Sequence, residues 1–350
     1  MRRRPREDGL DPRLREGYRR CAELTWRYGT TYFWGAALLP RRSRRHVYAV
    51  YALCRLADDI VDLPDSSPEL IQRQSPWPVR GPGPRAAQGQ RPEPVDGPAP
   101  TSTDHVSVGE RLEVFADTFR AALMERTSTD PVIAAIVHTV VTCGIEPECF
   151  ERFFGAMAMD LTVSSYETWE DLCGYMEGSA AVIGEMMLPV LEPRDPAAKA
   201  PARALGLAFQ LTNFLRDIEE DLDRGRIYLP QADLRQFGVD LGIRRATPEF
   251  QALMRYEIER NRALYSFADS GIAMLPPRSA RCVGTARVLY ARILDRIEAE
   301  RYDVFAGRVR IPTWRKALTT ARMMVTGPRT NRGLGIDRAR SMSDVTSNPS

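Results

Sequence analysis

The chain has 350 residues, 43% hydrophobic and 27% charged, with 49 basic against 46 acidic side chains and a net charge of +3. This balance excludes global disorder and collagen-like repetition, and near-neutrality gives no electrostatic case for nucleic-acid binding. No run of 18 apolar residues occurs, so no membrane-spanning helix is expected; Met1-Arg2-Arg3-Arg4-Pro5-Arg6 has no apolar stretch behind it and does not read as a secretory leader, which points to the cytoplasm.

Taken in chain order, residues 1–10 read as a disordered start. Arg41 to Arg45 read as a solvated loop, after which Ser43 caps a helix running to Asp62. Ten of the 26 prolines lie between Pro64 and Pro100. The stretch 64–105 therefore reads as a disordered insertion. Asp130-Pro131 is an N-cap and first-turn pair opening an apolar helix. Thr168 with Asp171 resembles a capping box, and its helix is expected to reach Met187 to Pro189. Ala202 to about Leu222 is another long helix. Thr247-Pro248-Glu249 opens a helix through about Phe267, and Arg281 to Glu300 is amphipathic. Residues 327–350 read as a disordered tail, and no strand-like alternation appears. One helical domain over 11–326, carrying the insertion, is the expected organisation.

The six cysteines form no CxxC pair and read as buried thiols rather than a disulfide framework. His46, His105 and His138 are scattered, which argues against a His/Cys metal site.

Two segments carry the chemistry. From Val47 to Cys54 every residue is apolar or aromatic, so this helix is expected to be buried. It nevertheless continues into Arg55, Asp58, Asp59 and Asp62, and Asp58 and Asp62 share one helical face. Burying unpaired carboxylates costs several kcal/mol each. A hard divalent cation bound through oxygen is the natural compensation. The second segment, Ala204 to Asp221, repeats the design: an apolar helix ends in a stripe of Asn213, Asp217 and Asp221, with Gln210 one turn earlier. Two such stripes facing each other would hold Mg²⁺, which takes a few carboxylates together with substrate phosphates. Phosphate or diphosphate chemistry follows.

These segments resemble the phytoene/squalene synthase family, the head-to-head isoprenoid synthases. The first resembles its signature at Tyr51-x-x-x-Arg55-x-x-Asp58-Asp59-x-x-Asp62. The second does so at Gln210-x-x-Asn213-x-x-Arg216-Asp217-x-x-Glu220-Asp221, followed by Arg224-Gly225-Arg226-Ile227-Tyr228-Leu229-Pro230. Ser179 to Gly184 and Val288 to Leu294 are similar to two further helices of the family, and the match runs from about Cys21 to Lys316. The resemblance implies an all-α, single-domain isoprenoid synthase bundle around a central cavity. It implies Asp58, Asp62, Asn213, Asp217 and Asp221 as metal and diphosphate positions, with Mg²⁺, or Mn²⁺ in its place. Arg55 and Arg216 would contact diphosphate or balance the acids. Tyr51, Tyr175, Gln210 and Tyr290 would line the chamber, and Ser179 and Ile183 would face polyprenyl tails.

The family's Ser-Lys/Arg-Ser-Phe flap is represented by Gly29-Thr30-Thr31-Tyr32-Phe33. Thr31 keeps a hydroxyl in the substrate site, whereas Thr30 replaces the base, and a substitute phosphate contact could come from Arg41 to Arg45. The overall pattern is most like the bacterial carotenoid-type members. That implies condensation of two geranylgeranyl diphosphates through a cyclopropylcarbinyl diphosphate to phytoene, ended by proton loss without NADPH. Squalene or dehydrosqualene formation from farnesyl diphosphate is the alternative. Asp58-Asp59-Ile60-Val61-Asp62 also fits the DDxxD pattern of chain-elongating prenyltransferases and terpene cyclases, but cyclases place Ser or Thr where Asp217 stands. Helical relatives that act as assembly factors have lost their acids, which are all retained here. Lipid substrates and product are compatible with peripheral contact at the inner membrane surface, and the sequence leaves the oligomeric state open.

Overall fold

The computed structural model describes residues 9–62, 107–306 and Thr320. The expectations for 64–105 and 327–350, and for the first eight residues, lie outside the described residues. The described chain runs through α1 (Pro12–Tyr28), α2 (Thr30–Ala36), α3 (Arg41–Asp62), α4 (Val108–Glu125), α5 (Pro131–Cys143), α6 (Glu148–Met159) and α7 (Trp169–Met176). A π turn (Glu177–Ala181) leads into α8 (Val182–Leu191), followed by α9 (Lys199–Arg216), α10 (Ile218–Asp223), α11 (Gln231–Phe237), α12 (Pro248–Ile272) and α13 (Pro277–Ala299). Among the described residues, the β-structure is one isolated bridge between Ser165 and Ile227.

The polar residues read as helix starts act as such. The Asp130 side chain accepts the Val132 and Ile133 amides at 2.7 and 3.0 Å. Thr168 and Asp171 form a reciprocal capping box, and Thr247 accepts the Phe250 amide. Each such cap is worth about 1 kcal/mol because it satisfies amides the helix itself leaves orphaned.

Three expectations are corrected. Arg41 to Arg45 are not a loop: they form the first turn of α3, so Ser43 is inside the helix rather than its cap. Arg44 explains why, since its guanidinium donates to the carbonyls of Ala36, Ala37 and Leu39 and closes the end of α2. The helix expected from Thr168 does run past Pro189, but the π turn interrupts it. The helix expected over 202–222 breaks at Asp217, whose φ of −104° and ψ of 16° divide α9 from α10.

Two apolar cores form the body. One joins Leu53 of α3, Ile133 and Ile136 of α5, Phe150 and Phe153 of α6, and Met186 of α8. The other joins Leu211 and Leu215 of α9 to Phe250 and Leu253 of α12 and Leu294 of α13. Full burial of each such side chain stabilises by about 1.5–3 kcal/mol. A smaller aromatic core of Tyr166, Tyr175, Phe214 and Tyr228 sits beside them. Cys21, Cys149 and Cys282 are buried free thiols, while Cys54, Cys143 and Cys173 are half-buried. No helix among the described residues is long and apolar enough to cross a membrane.

Two of the scattered histidines meet inside the first core. The Tyr18 hydroxyl of α1 lies 3.2 Å from His46 Nδ1 of α3, 2.8 Å from His138 Nδ1 and 3.0 Å from Thr139 Oγ1 of α5. Burial, followed by Arg45 and His138, pushes His46 down to about 4. Between pH 6.5 and 4 the folded protein then binds fewer protons at His46 than the unfolded chain does, so acid favours unfolding. Wild type should lose about 2 kcal/mol of stability between pH 7 and pH 5 through this residue. Thermal melts across that range should show His46→Gln with a clearly flatter pH dependence. An unchanged slope would reject the assignment.

Candidate active site

A cavity of about 920 Å³ is lined by residues of α1, α2, α3, α6, α7, the π turn, α8, α9, α10 and α13. An apolar branch of about 150 Å³ shares Tyr32, Val47, Ser179, Ile183, Met187, Gln210 and Asn213 with it. Every candidate site residue read from the sequence lines the large cavity: Thr31, Tyr51, Arg55, Asp58, Asp62, Tyr175, Ser179, Ile183, Gln210, Asn213, Arg216, Asp217, Asp221 and Tyr290. The Arg41–Arg45 cluster does not line it; the rim carries Arg27 and Tyr28 instead.

Helix α3 sets Tyr51, Arg55, Asp58 and Asp62 at spacings of four, three and four, which keeps them on one face. Burial, and then the neighbouring Asp62, push Asp58 up to about 7. Arg55 pairs with Asp59 and stacks over the Tyr28 ring at 4.3 Å. Gly29, between α1 and α2, makes this approach possible. A Cβ there would sit 2.4 Å from the Tyr51 ring, so a side chain at this corner would require that ring to shift.

The second stripe straddles the α9–α10 break. The Asp217 amide still bonds the Asn213 carbonyl, and the Asp221 amide bonds the Asp217 carbonyl, each at 2.9 Å. Asn213, Asp217 and Asp221 therefore stay in line although the helix is interrupted. Burial, and then Asp217, push Asp221 up to about 7. Arg216 is bonded to Asp217, with its Nε 2.7 Å from the carboxylate. Arg226 reaches Asp62 of the first stripe at 3.2 Å, and Arg224 lies 3.7 Å from the same carboxylate. The two acidic segments are thus tied across the cavity.

Aromatic rings complete the wall. Tyr32 sits 5.5 Å from Tyr51 and 5.7 Å from Tyr290, and Phe209 stacks on Tyr290 at 4.2 Å. In a second group, Phe214 stacks on Tyr228 at 4.0 Å, and Tyr175 lies 5.9 Å from Tyr228. Asp160, at the end of α6, accepts the hydroxyls of Tyr175 at 2.8 Å and Tyr228 at 3.2 Å. Its carboxyl is raised above the usual range by burial, against the hydroxyl bond from Tyr175. Sequence reasoning missed Asp160, because a single acid after an apolar helix has no spacing partner to mark it. Tyr228 and Arg226 stood inside a quoted motif, yet nothing in their spacing gave them a role.

The donor set fits a hard divalent cation. It offers carboxylate and amide oxygens, and two of the carboxylates, Asp58 and Asp221, are raised first by burial and then by an adjoining acid, both of which such an ion would offset. Among the described residues, no three of His, Cys, Asp and Glu converge closely enough to hold an ion unaided.

Comparison with known proteins agrees with this geometry. The family model for squalene/phytoene synthase matches residues 26–315. A phytoene synthase of Arthrospira platensis is 31% identical over 319 residues, covering 87% of this chain and 91% of that protein. A 15-cis-phytoene synthase of Synechococcus elongatus is 33% identical over 318 residues, with the same coverage of 87% and 91%. Among solved structures, a squalene synthase of Alicyclobacillus acidocaldarius superposes with a TM-score of 0.65 at 28% identity, over 84% of this chain and 97% of that one. A dehydrosqualene synthase in complex with a ligand superposes with a TM-score of 0.71 at 23% identity, over 89% of this chain and 96% of its own, and so supports the fold. The chain is a helical isoprenoid synthase belonging to the squalene/phytoene synthase family, a family of prenyltransferase-type enzymes.

Proposed function

We propose that this enzyme joins two geranylgeranyl diphosphates head to head, through a cyclopropylcarbinyl diphosphate, to give phytoene and diphosphate. The observation that carries the reading is the pairing of two acidic stripes on one cavity with an apolar branch behind them. The phytoene synthases at 31% and 33% identity favour this product.

In this reading Asp58 and Asp62 receive one diphosphate, and Asn213, Asp217 and Asp221 the other. Bound Mg²⁺ would supply charge neutralisation to the leaving diphosphate. Arg224 and Arg226, which pair with Asp62, are placed to exchange that carboxylate for incoming phosphate oxygens. Loss of diphosphate from one substrate leaves an allylic cation, the double bond of the other attacks it, and loss of a first proton closes the cyclopropane ring while the second diphosphate stays attached. A second ionisation and rearrangement follow. The rings of Tyr32, Tyr51 and Tyr290 present π faces that stabilise cationic carbon by about 0.5–2 kcal/mol each. The apolar branch excludes the water that would otherwise trap the cation. Asp160 fixes the orientation of the Tyr175 and Tyr228 rings through their hydroxyls. Proton loss then ends the reaction, so no NADPH is required. Lipid substrates and product make transient contact with a membrane surface part of the same reading.

The solved squalene synthase at 28% identity keeps a second reading open, namely a C30 product from farnesyl diphosphate. One assay separates the two. Purified protein with Mg²⁺ and either geranylgeranyl or farnesyl diphosphate, with and without NADPH, should yield a C40 hydrocarbon from the longer substrate alone and without NADPH. A C30 product as the main outcome would overturn the proposal. Asp58→Ala combined with Asp217→Ala should lower turnover by more than about a thousandfold with helical content unchanged by circular dichroism. Undiminished activity would remove the acidic stripes from the mechanism. Asp160→Asn, which keeps one oxygen acceptor but adds a donor, should lower kcat by about tenfold or more with KM nearly unchanged. A rise in KM alone would place Asp160 in binding instead.

A further inference from the structure

The segment from Tyr175 to Met187 forms one continuous part of the chamber wall. Tyr175, Ser179, Ile183 and Met187 line the large cavity, and the last three line the branch as well. They are four residues apart. In an α-helix a step of four overshoots a full turn by roughly 40°, so three steps would carry Met187 about a third of a turn away from Tyr175. The π turn at Glu177–Ala181 winds more loosely and takes up part of that drift, which keeps the row facing the chamber.

A square of ion pairs brackets this turn. Glu177 opens it, and Glu185 lies just beyond it in α8. Arg152 of α6 bonds Glu177 at 2.8 Å and Glu185 at 2.9 Å. Arg203 of α9 bonds both carboxylates from the other side, and Lys199 adds a contact to Glu185 at 2.9 Å. Glu185 is only 8% exposed. Burial alone would push its carboxyl up, but the bonds from Arg152, Lys199 and Arg203 outweigh it and hold the group at about 2. The backbone is equally committed: a Cβ on Gly206 of α9 would lie 2.3 Å from the Ala180 carbonyl, so α9 rests directly on the turn.

We propose that the Arg152–Glu177–Arg203–Glu185 square is a positioning device that holds the neck between cavity and branch, and so sets the prenyl chain length the site accepts. It rests on the prenyl-transfer reading above. Arg152 and Arg203 act through Ser179, Ile183 and Met187 rather than by touching substrate.

The test uses the full chain with Mg²⁺ and unreactive thiolo-diphosphate analogues of the C15 and C20 substrates, with dissociation constants measured by calorimetry. Wild type should bind the C20 analogue about tenfold more tightly than the C15 analogue, the scale expected of apolar-pocket discrimination. Arg152→Gln and Arg203→Gln should bring that ratio close to one, while the affinity for inorganic diphosphate stays put. Arg203→Lys, which keeps the charge, should restore discrimination. Where either glutamine variant melts too low to assay, Glu177→Gln removes only a half-exposed corner of the square and should shift the ratio the same way. An unchanged ratio in a folded variant, or an equal loss of inorganic diphosphate affinity, would overturn the proposal. Wild type that discriminates in binding yet forms no hydrocarbon would count against the reaction and not against the square.

Discussion

Carboxylates held in an apolar wall govern this structure. Asp58 and Asp221 each lie within an acid pair, and both are driven towards neutrality by burial and by the adjoining carboxylate. Left alone such groups destabilise the fold. Arginine offsets them through space, Arg55 at Asp58 and Arg224 and Arg226 at Asp221, while the neighbouring acids Asp59, Asp217 and Asp62 are paired directly. Arginines and aspartates thus offset one another around the cavity. In the proposed reaction, diphosphate binding is an exchange of partners that avoids the creation of naked charge.

The cavity's shape follows from how its walls are wound. Helix α3 keeps its stripe by ordinary α spacing, whereas the other two walls depart from it. The π turn straightens the row from Tyr175 to Met187, and the break at Asp217 redirects the backbone while preserving the hydrogen bonds that hold Asn213 and Asp221 in register. Both irregularities sit where side chains must face the chamber over a longer distance than a regular helix allows. Departures from helical regularity of this kind recur at functional sites.

Much of this was legible in the residues. An apolar helix ending in acids four apart states its own problem, and its solution limits the chemistry. All fourteen candidate side chains duly meet on one cavity. The caps at Asp130, Thr168 and Thr247 were equally plain, because their reach is local. What escaped depended on contacts distant in sequence. Asp160 acquires meaning only when Tyr175 and Tyr228 arrive beside it. His46 and His138 are 92 positions apart in the sequence, and only the packing of α1, α3 and α5 joins them. Arg44 looked like one more surface charge because the carbonyls it serves belong to a helix end that has no pattern of its own. Spacing rules report what one helix presents, and none of these features belongs to one helix.

The corner at Gly29 has a consequence for how the site can change over time. The Tyr51 ring fills the space a side chain would need there, so that position can change only together with the placement of the ring. Arg27, Tyr28, Thr30 and Thr31 on either side all border the cavity and carry no comparable backbone constraint. A change at the corner thus couples Gly29 to Tyr51, whereas the four bordering positions can change singly. A lineage can retune what enters the chamber by single substitutions there without rebuilding the roof that covers it.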